Sequence, residues 1–409
     1  MNPLYVGIDV SSKSNVVYLM LPDGSKHSNF SVPNSHDGST QLVKRILSAI
    51  TFLSLDTVII GLEATSVYGD NLVYFLREDA TLVPFNRKIH VLNPKQVKHF
   101  KEAYNDLPKN DYVDSYVIAD CLRFGRINKE VYQGDYHYKA LQNLTRARFF
   151  AVQNLVKEKQ RFINVLFKKY STMTQEKVFS NTFSTTALAV YEEFESAEAL
   201  VSMDLQELTN FIMEKGKNRF PDPDAVAKAI QKAAKSSYRL PKTVNDSVNQ
   251  VLSISITSIK ALDAQIKEFD KAIKVQMELL PNVLTSIPGI GPVYSAGIIA
   301  EIGDINRFPS QAQLGKYAGL AWTQNQSGDF EAENTKLIQS GNRFLKYYLC
   351  EGALSLVKCD TEYSNFYHSK YKEVNRHQHK RALALTARKF VRLVFRLLKD
   401  NRLYIPPKA

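Results

Sequence analysis

The feature that most constrains the fold is a regular alternation of short apolar runs and helix-like segments over the first 125 residues. Two apolar runs come first with a mostly polar third run that is a plausible strand, and two more apolar runs follow, each preceded by a segment with helical spacing. The predicted order is βββαβαβα, which is typical of a mixed sheet covered by helices. The five runs are LYVGIDV, NVVYLML, KHSNFSVPNS, TVIIGLEAT and IHVLNPKQV.

Four carboxylates occupy special positions in this pattern. Asp9 and Glu63 end apolar strands, where acids are depleted unless something offsets the cost of burying them. Asp111 and Asp114 lie at the start of a predicted helix, with a spacing that puts them on one face. Each acid alone could be a surface charge or a cap, but together they can hold two Mg²⁺ ions, or Mn²⁺ in their place, for phosphoryl transfer. Asp120, on the same helix, is predicted to be a solvated or capping residue.

Composition limits the class of protein. A chain of 409 residues fits two or three domains, and its net charge of +12 favours a polyanionic partner, nucleic acid before an acidic membrane. Cys121, Cys350 and Cys359 have no metal-binding or disulfide spacing and are predicted to be buried apolar side chains. The N-terminus lacks a signal-peptide pattern, and no apolar run is long enough to span a membrane. We therefore expect a cytoplasmic protein.

Two long helical segments in the middle of the chain complement each other. Residues 140–170 carry an apolar stripe, and residues 244–280 carry apolar residues at the heptad spacing of a coiled-coil arm. Ser255 and Gln276 interrupt the second seam. The segment between the arms, 171–243, is predicted to form short helices with a structural or contact role and no chemistry. The seam residues of the second arm are Ile259, Leu262, Ile266, Phe269, Ile273 and Leu280.

The C-terminal part contains the candidate nucleic-acid contacts. Gly289 and Gly291 bracket Ile290 as in a helix-hairpin-helix turn, whose backbone N–H groups can hold a phosphate, although an ordinary tight turn uses the same glycines. The last helix, predicted at 381–399, has a basic stripe that either follows a phosphate backbone or is a solvated face. The predicted contacts are Gly289, Gly291, Lys336, Arg343, Lys346, Arg388, Arg392 and Arg396.

Ser327 is the candidate nucleophile. It lies in the polar segment GLAWTQNQSGDF, and no base stands beside it in the sequence. A serine needs activation before it attacks, and a metal-bound phosphate provides this by making phosphorus more electrophilic and stabilising the leaving oxygen. Ser-Gly in a loop is a weak signal by itself. The hypothesis is that Ser327 and the four carboxylates meet on a DNA phosphate.

The joint order of these motifs resembles the insertion sequence 110 family of transposases. GIDVSSK, GLEAT and NDYVDS carry Asp9, Glu63, Asp111 and Asp114 in the order of that family's DEDD tetrad. SIPGIGPVYSAGIIAEIGD, RFPSQAQLGKYAGL and QSG resemble its second conserved domain, with Ser327 at the position of the proposed nucleophilic serine. The likeness covers roughly 4–125 and 283–400. The chain departs from the family before Gly341-Asn342, where relatives often carry a lysine, and at Lys346, where an arginine is common.

The resemblance implies an α/β domain followed by α-helical parts. These are a RuvC-like, RNase H-type domain, a helical coiled-coil arm and a mostly helical C-terminal transposase domain, which we place at residues 1–135, 136–280 and 281–409. It also implies a prokaryotic site-specific DNA recombinase that excises and inserts its element through a covalent serine–DNA intermediate. The implied partners are donor and target DNA, a noncoding bridge RNA that guides the reaction, and further copies of the chain, as dimers assembling into a tetramer.

Two other functions remain open. A metal-dependent endonuclease of the same fold, similar to a junction resolvase, would use water as the nucleophile and leave Ser327 a structural role. Such an enzyme would nick DNA without strand transfer. A non-enzymatic nucleic-acid-binding protein would show no metal dependence, and the intact acidic tetrad argues against it.

Overall fold

The computed structural model describes residues 2–64, 67–104, 107–125, 136–280, 282–323, 326–327, 330–331 and 336–406. The chain divides into two compact units, residues 1–133 and 134–409. A separate boundary between arm and transposase domain at residue 280 stays a prediction. Within the described residues, no helix is both long enough and apolar enough to cross a membrane.

The first unit is built on a mixed five-stranded sheet, which confirms the predicted sheet. Its strand order is β3-β2-β1-β4-β5, with β1, β2 and β3 antiparallel and with β1, β4 and β5 parallel. The fifth strand is shorter than predicted, because Asn93 caps a helix that starts at Pro94. The strands are β1 (Pro3–Val10), β2 (Ser14–Met20), β3 (Lys26–Pro33), β4 (Thr57–Glu63) and β5 (Lys88–Leu92).

Helices cover both faces of this sheet. One face carries Leu4, Val6 and Ile8 of β1 and packs on α1, while Tyr5 on the other face packs on α4. The alternation along β1 follows from the period of two in a strand. The helices are α1 (His36–Phe52), α2 (Asp70–Glu78), α3 (Pro94–Lys101) and α4 (Asp111–Phe124), with a 3₁₀ turn at Ala80–Phe85.

The second unit begins with the two predicted arms, α5 (Tyr136–Lys169) and α11 (Lys242–Met277), which pack along each other within one chain. Ile259 and Ile273 of the predicted seam are buried. The two polar interruptions find partners on or near α5: the Ser255 hydroxyl donates to Glu158 over 2.6 Å, and Gln276 lies 3.0 Å from a ring nitrogen of His137. Between the arms lie α6 (Ser171–Gln175), α7 (Thr185–Glu193), α8 (Ala197–Ser202), α9 (Leu205–Gly216) and α10 (Pro223–Ser236).

The rest of the second unit is mostly helical, around an apolar core to which the last helix contributes Phe390, Val394 and Leu397. The cysteine prediction holds for Cys121, which is buried, but is wrong for Cys359, which is exposed at the end of α14. The elements are α12 (Pro292–Ile302), α13 (Gln311–Tyr317), the strand pair β6 (Gln326–Ser327) and β7 (Phe330–Glu331), α14 (Arg343–Cys359), α15 (Thr361–Lys372) and α16 (Gln378–Asp400).

Candidate active site

Two glycines let α4 approach the sheet closely. Gly7 of β1 and Gly61 of β4 are direct neighbours in the parallel ladder. A Cβ atom on Gly7 would lie 2.0 Å from the carbonyl oxygen of Ser115 and 2.5 Å from the backbone nitrogen of Ala119. A Cβ atom on Gly61 would lie 2.8 Å from a methyl carbon of Leu122. Any larger residue at Gly7 would push the backbone of α4 away from β1.

This close packing brings the four predicted carboxylates to one edge of the sheet. Asp9 and Glu63 each follow one of the two glycines by two residues, so they lie on the face that α4 covers. Asp111 and Asp114 lie in the first turn of α4, whose N-terminus is capped by the Asn110 side chain. The positive end of the helix dipole favours negative charge at that turn.

The charges of these carboxylates influence one another. Burial raises the pKa of Asp9 to about 6, and the charges of Asp114 and Asp111 add to the rise. Burial also raises the pKa of Glu63, as do the charges of Asp9 and Asp114. Such like-charge effects act at short range. The charge of Lys101 opposes both shifts, and its Nζ atom lies 2.5 Å from Oδ1 of Asp114.

The donor atoms at this edge are all carboxylate oxygens, which are the ligands that Mg²⁺ prefers. Among the described residues, however, no three Asp, Glu, His or Cys side chains are arranged so that they could hold a metal ion. In this arrangement Lys101 supplies the neutralising charge for Asp114. The four carboxylates are thus of the right chemical type for a divalent cation, although their arrangement here would have to change to hold one. Lys101 was not predicted from the sequence, because nothing in the spacing of α3 links it to α4.

The prediction that Asp120 is solvated or a cap is wrong. Its side chain is buried, with one carboxylate oxygen accepting from Nε of Arg123 over 2.7 Å and the other accepting from the Tyr104 hydroxyl. Burial and this bond to Asp120 both raise the pKa of Tyr104. Asp120 therefore links α4 to the segment that follows α3, and its role differs from the role predicted for the four site carboxylates.

The segment that carries Ser327 is held by a short backbone stem in the second unit. Ser327 pairs with Phe330 in the two-stranded β6–β7 ladder. Below it, the Thr323 N–H donates to the carbonyl of Lys336 over 2.8 Å, and the Ile338 N–H donates to Ala321 over 2.9 Å. For Ser327 the structure describes the backbone alone. The role predicted for its hydroxyl group therefore lies outside what the structure describes. Lys336, a predicted nucleic-acid contact, is exposed on this stem.

A buried carboxylate supports the base of that stem. Glu301 of α12 is 2% exposed, and its two oxygens accept from Nε and Nη2 of Arg146 over 2.7 and 2.9 Å. The amide of Asn342 donates to the same carboxylate over 2.6 Å. A bidentate arginine and an amide together satisfy a charge that would be costly to bury alone.

Asn342 transmits this support to the stem and to α14. Its side-chain oxygen caps α14 by accepting from the N–H groups of Phe344 and Leu345, and its own N–H donates to the carbonyl of Tyr317 over 2.7 Å. The residue before it, Gly341, has a φ of +143° and passes so close to Gly319 that a Cβ atom would lie 2.5 Å from the Gly319 nitrogen. Glu301 and Arg146 were missed in the sequence, although an acid inside the apolar run GIIAEI was a usable signal.

Replacing Glu301 by alanine is expected to destabilise the second unit by about 1–3 kcal/mol, because the amide of Asn342 and the half-buried guanidinium of Arg146 would lose the carboxylate that accepts from them. Urea unfolding followed by a second-unit probe such as Trp322 measures this. The control is Glu192→Ala, which removes an exposed ion pair with Lys260 of 3.3 Å and should cost less than about 1 kcal/mol. Equal effects for the two variants would contradict the role given to Glu301.

The two glycines of the predicted helix-hairpin-helix turn have different surroundings. Gly289 has a φ of +81° and packs against α14, where its carbonyl accepts from the Ser355 hydroxyl over 2.7 Å. Gly291 is exposed at the start of α12, and a Cβ atom there would meet nothing within 4 Å. Gly289 is therefore explained by packing, and phosphate contact at Gly291 stays a prediction.

The predicted basic contacts also differ in accessibility. Arg388 is half-buried, and its guanidinium occupies the space that a side chain at Gly315 would fill. It donates to the carbonyl of Gln311 over 2.9 Å. Burial lowers its pKa, as does the charge of Arg392. Arg392 is exposed, as is Arg396, whose Nε atom lies 3.6 Å from Asp400. Of the contacts near the stem, Arg343 is exposed and Lys346 half-buried.

Comparison with known proteins assigns the family. Residues 6–170 match the DEDD transposase model of IS110 type, described as a transposase, and residues 282–368 match the model described as the transposase IS116/IS110/IS902 family. The two matches together cover more than half of the chain and include every residue of the tetrad and Ser327.

Relatives support the same assignment. The chain is 27% identical over 338 residues to a 44.8 kDa protein of insertion element IS116 from Streptomyces clavuligerus, covering 80% of each chain. It is 23% identical over 410 residues to a 42 kDa protein of IS900 from Mycobacterium paratuberculosis, covering 99% of this chain and 98% of the relative. It is also 27% identical to the transposase of IS1111A from Coxiella burnetii, over 27% of this chain and 31% of that one. The chain therefore belongs to the insertion sequence 110 family of transposases, which process DNA.

Proposed function

We propose that this protein excises and inserts its insertion sequence by site-specific recombination between donor and target DNA, with Ser327 as nucleophile and a noncoding bridge RNA as guide. The observation that supports this most is the convergence of Asp9, Glu63, Asp111 and Asp114 on one electrostatic site, within the segment that matches the DEDD transposase model. The strand order of the first unit supports a RuvC-like, RNase H-type fold.

The proposed step is a phosphoryl transfer to serine. The Ser327 hydroxyl oxygen forms a bond to a DNA phosphorus, the bond from phosphorus to one deoxyribose oxygen breaks, and the serine proton passes to that leaving oxygen. The product is a phosphoserine ester that joins the protein to one DNA end. Attack by the hydroxyl of another DNA strand reverses the reaction, releases Ser327 and joins the new ends without an external energy source.

The carboxylates Asp9, Glu63, Asp111 and Asp114 would hold the metal. The DEDD match indicates dependence on a divalent metal in general, and we propose Mg²⁺, as two ions, with Mn²⁺ able to substitute. Such ions stabilise the entering and leaving oxygens of an in-line displacement. The four side chains offer negative charge at one edge of the sheet, and the ion pair with Lys101 holds the side chain of Asp114 in place.

The proposal is tested by trapping the adduct. Full-length protein, purified with its co-purifying RNA, is incubated with DNA that carries the element ends and Mg²⁺, and then denatured. We expect a protein–DNA band that survives denaturation, that Ser327→Ala lacks, and that ribonuclease treatment of the protein beforehand prevents. Sequencing the RNA identifies the guide. Cleavage without any adduct would overturn the serine mechanism and favour the water-using endonuclease.

Ser327→Thr is the matched control for this assay, because it keeps a hydroxyl group while crowding it with a methyl group. We expect it to form less adduct than the native chain but more than Ser327→Ala. An adduct that persists in Ser327→Ala would assign the covalent bond to another side chain.

We propose that the chain acts as a dimer that assembles into a tetramer. The heptad seam of α11 packs on α5 of the same chain, but α11 has a second face that is free of charged residues and is exposed except at the half-buried Ser258. Its residues are spaced three and four apart, the heptad rule for packing against another helix. They are Val244, Ser247, Val251, Ile254, Ser258 and Ala261. A second copy of the chain offers the same face, as a two-fold dimer requires.

If α16 follows a nucleic-acid backbone, joint replacement of Arg392 and Arg396 by glutamine should weaken binding and lower the slope of log affinity against log salt by about two. Filter binding over a range of salt concentrations measures the slope. Arg388→Gln is the matched control on the same helix: since its guanidinium is bound to Gln311, we expect reduced stability and an unchanged slope. An unchanged slope in the double variant would make this face a solvated one.

A further inference from the structure

Aromatic rings and arginines cluster where α5 meets the start of α14. We call Phe149, Phe150, Arg343, Phe344 and Tyr347 the Phe150 platform. Ring centroids lie 4.8 Å apart for Phe149 and Tyr347, 5.2 Å for Phe149 and Phe344, and 5.7 Å for Phe150 and Phe344. Edge-to-face contacts at these distances stabilise the rings against one another.

The platform presents an exposed aromatic ring beside the guanidinium of Arg343. Phe150 is 46% exposed. The guanidinium carbon of Arg343 lies 5.3 Å from the centre of the Phe150 ring and 4.7 Å from that of Phe344. Within the described residues, no carboxylate lies within salt-bridge distance of Arg343. Arg146 also stacks on Phe344, at 4.6 Å, but it is bound to Glu301.

The platform adjoins the base of the Ser327 segment. Arg343 directly follows Asn342, whose backbone is bound to Tyr317 at one end of the stem. The Glu301 carboxylate binds both Asn342 and Arg146, so the same network holds the stem and the platform in a fixed relation. The exposed ring of Phe150 therefore lies beside Arg343, which directly follows the residue that joins α14 to Tyr317.

We propose that the Phe150 platform binds an unpaired base of a DNA strand, with the base stacked on Phe150 and the adjacent phosphate bound by Arg343. Every base offers a π face, and stacking on an aromatic ring together with a cation for the backbone is how single strands are held. This inference rests on the proposed function for its choice of DNA, because that function assigns Ser327 to attack a DNA phosphate. A covering protein surface would need a carboxylate to match Arg343, whereas a nucleotide supplies both ring and anion.

The test uses photocrosslinking of the full-length protein to a single-stranded DNA oligonucleotide that contains 5-iododeoxyuridine, with the attachment mapped by mass spectrometry. We expect attachment to the peptides that contain Phe150 or Phe344. Phe150→Leu should lower affinity for the single strand by about 5-fold to 150-fold, while the same sequence as a duplex changes little. Phe150→Tyr, which keeps the ring, should restore binding. Phe167→Leu, on the same helix with 45% exposure and outside the platform, is the matched control and should bind normally.

Several results would overturn the inference: no attachment at the platform, equal losses for Phe150→Leu and Phe167→Leu, or equal losses for duplex and single strand. Attachment of the matching RNA but not of DNA would overturn the choice of DNA. The test is independent of adduct formation. Ser327 adducts without platform crosslinks would reject only the platform, and platform crosslinks without adducts would reject only the serine mechanism.

Discussion

Replacing Asp111 or Asp114 by asparagine is expected to reduce DNA processing by orders of magnitude, and the same holds for Asp9→Asn and Glu63→Gln. Each change keeps the size of the side chain and removes one charge from a site that must neutralise divalent cations to act on a phosphate. Adduct yield in Mg²⁺ measures activity. Calorimetric titration with Mn²⁺ measures metal affinity, which should fall in every variant and so distinguishes a metal ligand from a group that only supports the fold.

Asp120→Asn is the matched control, because it neutralises a carboxylate on the same helix that is bound to Arg123 and Tyr104 and lies outside the tetrad. We expect it to lower stability and to leave Mn²⁺ affinity unchanged. Normal recombination by Asp111→Asn and Asp114→Asn in Mg²⁺ would show that the tetrad assignment is wrong.

Asp9→Asn should also change how the free energy of unfolding depends on pH when a chelator has removed divalent metal. The pKa of Asp9 is raised to about 6 in the folded protein, so the ionised carboxylate disfavours folding once the pH exceeds its ordinary value of 3.8. This penalty grows between pH 3.8 and about pH 6 and is complete above that range. Asp9→Asn removes it, so the metal-free variant should be more stable than the native chain at pH 7 and no more stable at pH 3. A loss of stability at pH 7 would indicate that Asp9 serves the fold.

The placement of the acids at strand ends was visible in the sequence because its signals are local, while their catalytic role stays a prediction. Asp9 and Glu63 end apolar strands, and parallel strands place their carboxyl ends at one edge, so two acids in that position must come together. The approach of α4 was less visible. Gly7 and Gly61 look like ordinary strand glycines until the register pairs them and the helix fills the space above them.

The rest could not be predicted because it depends on contacts between segments distant in sequence. Lys101 reaches Asp114 from a different helix, and the Glu301 carboxylate binds Arg146 across 155 positions of sequence. The heptad spacing of α11 includes residues that the structure buries, such as Ile259 and Ile273, but periodicity cannot say whether the covering helix belongs to the same chain. Likewise, the spacing of Arg388 and Arg392 on α16 does not reveal that only one of them is bound to a backbone carbonyl.

Mixing two inactive variants is expected to restore activity if each site takes Ser327 from one subunit and the tetrad from another. Ser327→Ala subunits carry intact carboxylates, and Asp111→Ala subunits carry an intact serine. In a mixed dimer with composite sites, one site has both groups and the other has neither, so about half of the sites are active by the symmetry of the pair. Two different affinity tags, purified in sequence, isolate the mixed dimer, and adduct yield measures the recovery.

The outcome discriminates between two assemblies because the two substitutions fall in the same site in one assembly and in different sites in the other. If each site is formed within one chain, every site in the mixed dimer lacks either its nucleophile or a carboxylate, and the mixture stays as inactive as its parents. Rescue must also depend on pairing. Ile254→Lys on the exposed face of α11 should therefore abolish both the isolation of mixed dimers and the recovery, while each unit stays folded. Recovery in the absence of dimers would contradict the proposed pairing face, and no recovery in isolated mixed dimers would exclude composite sites.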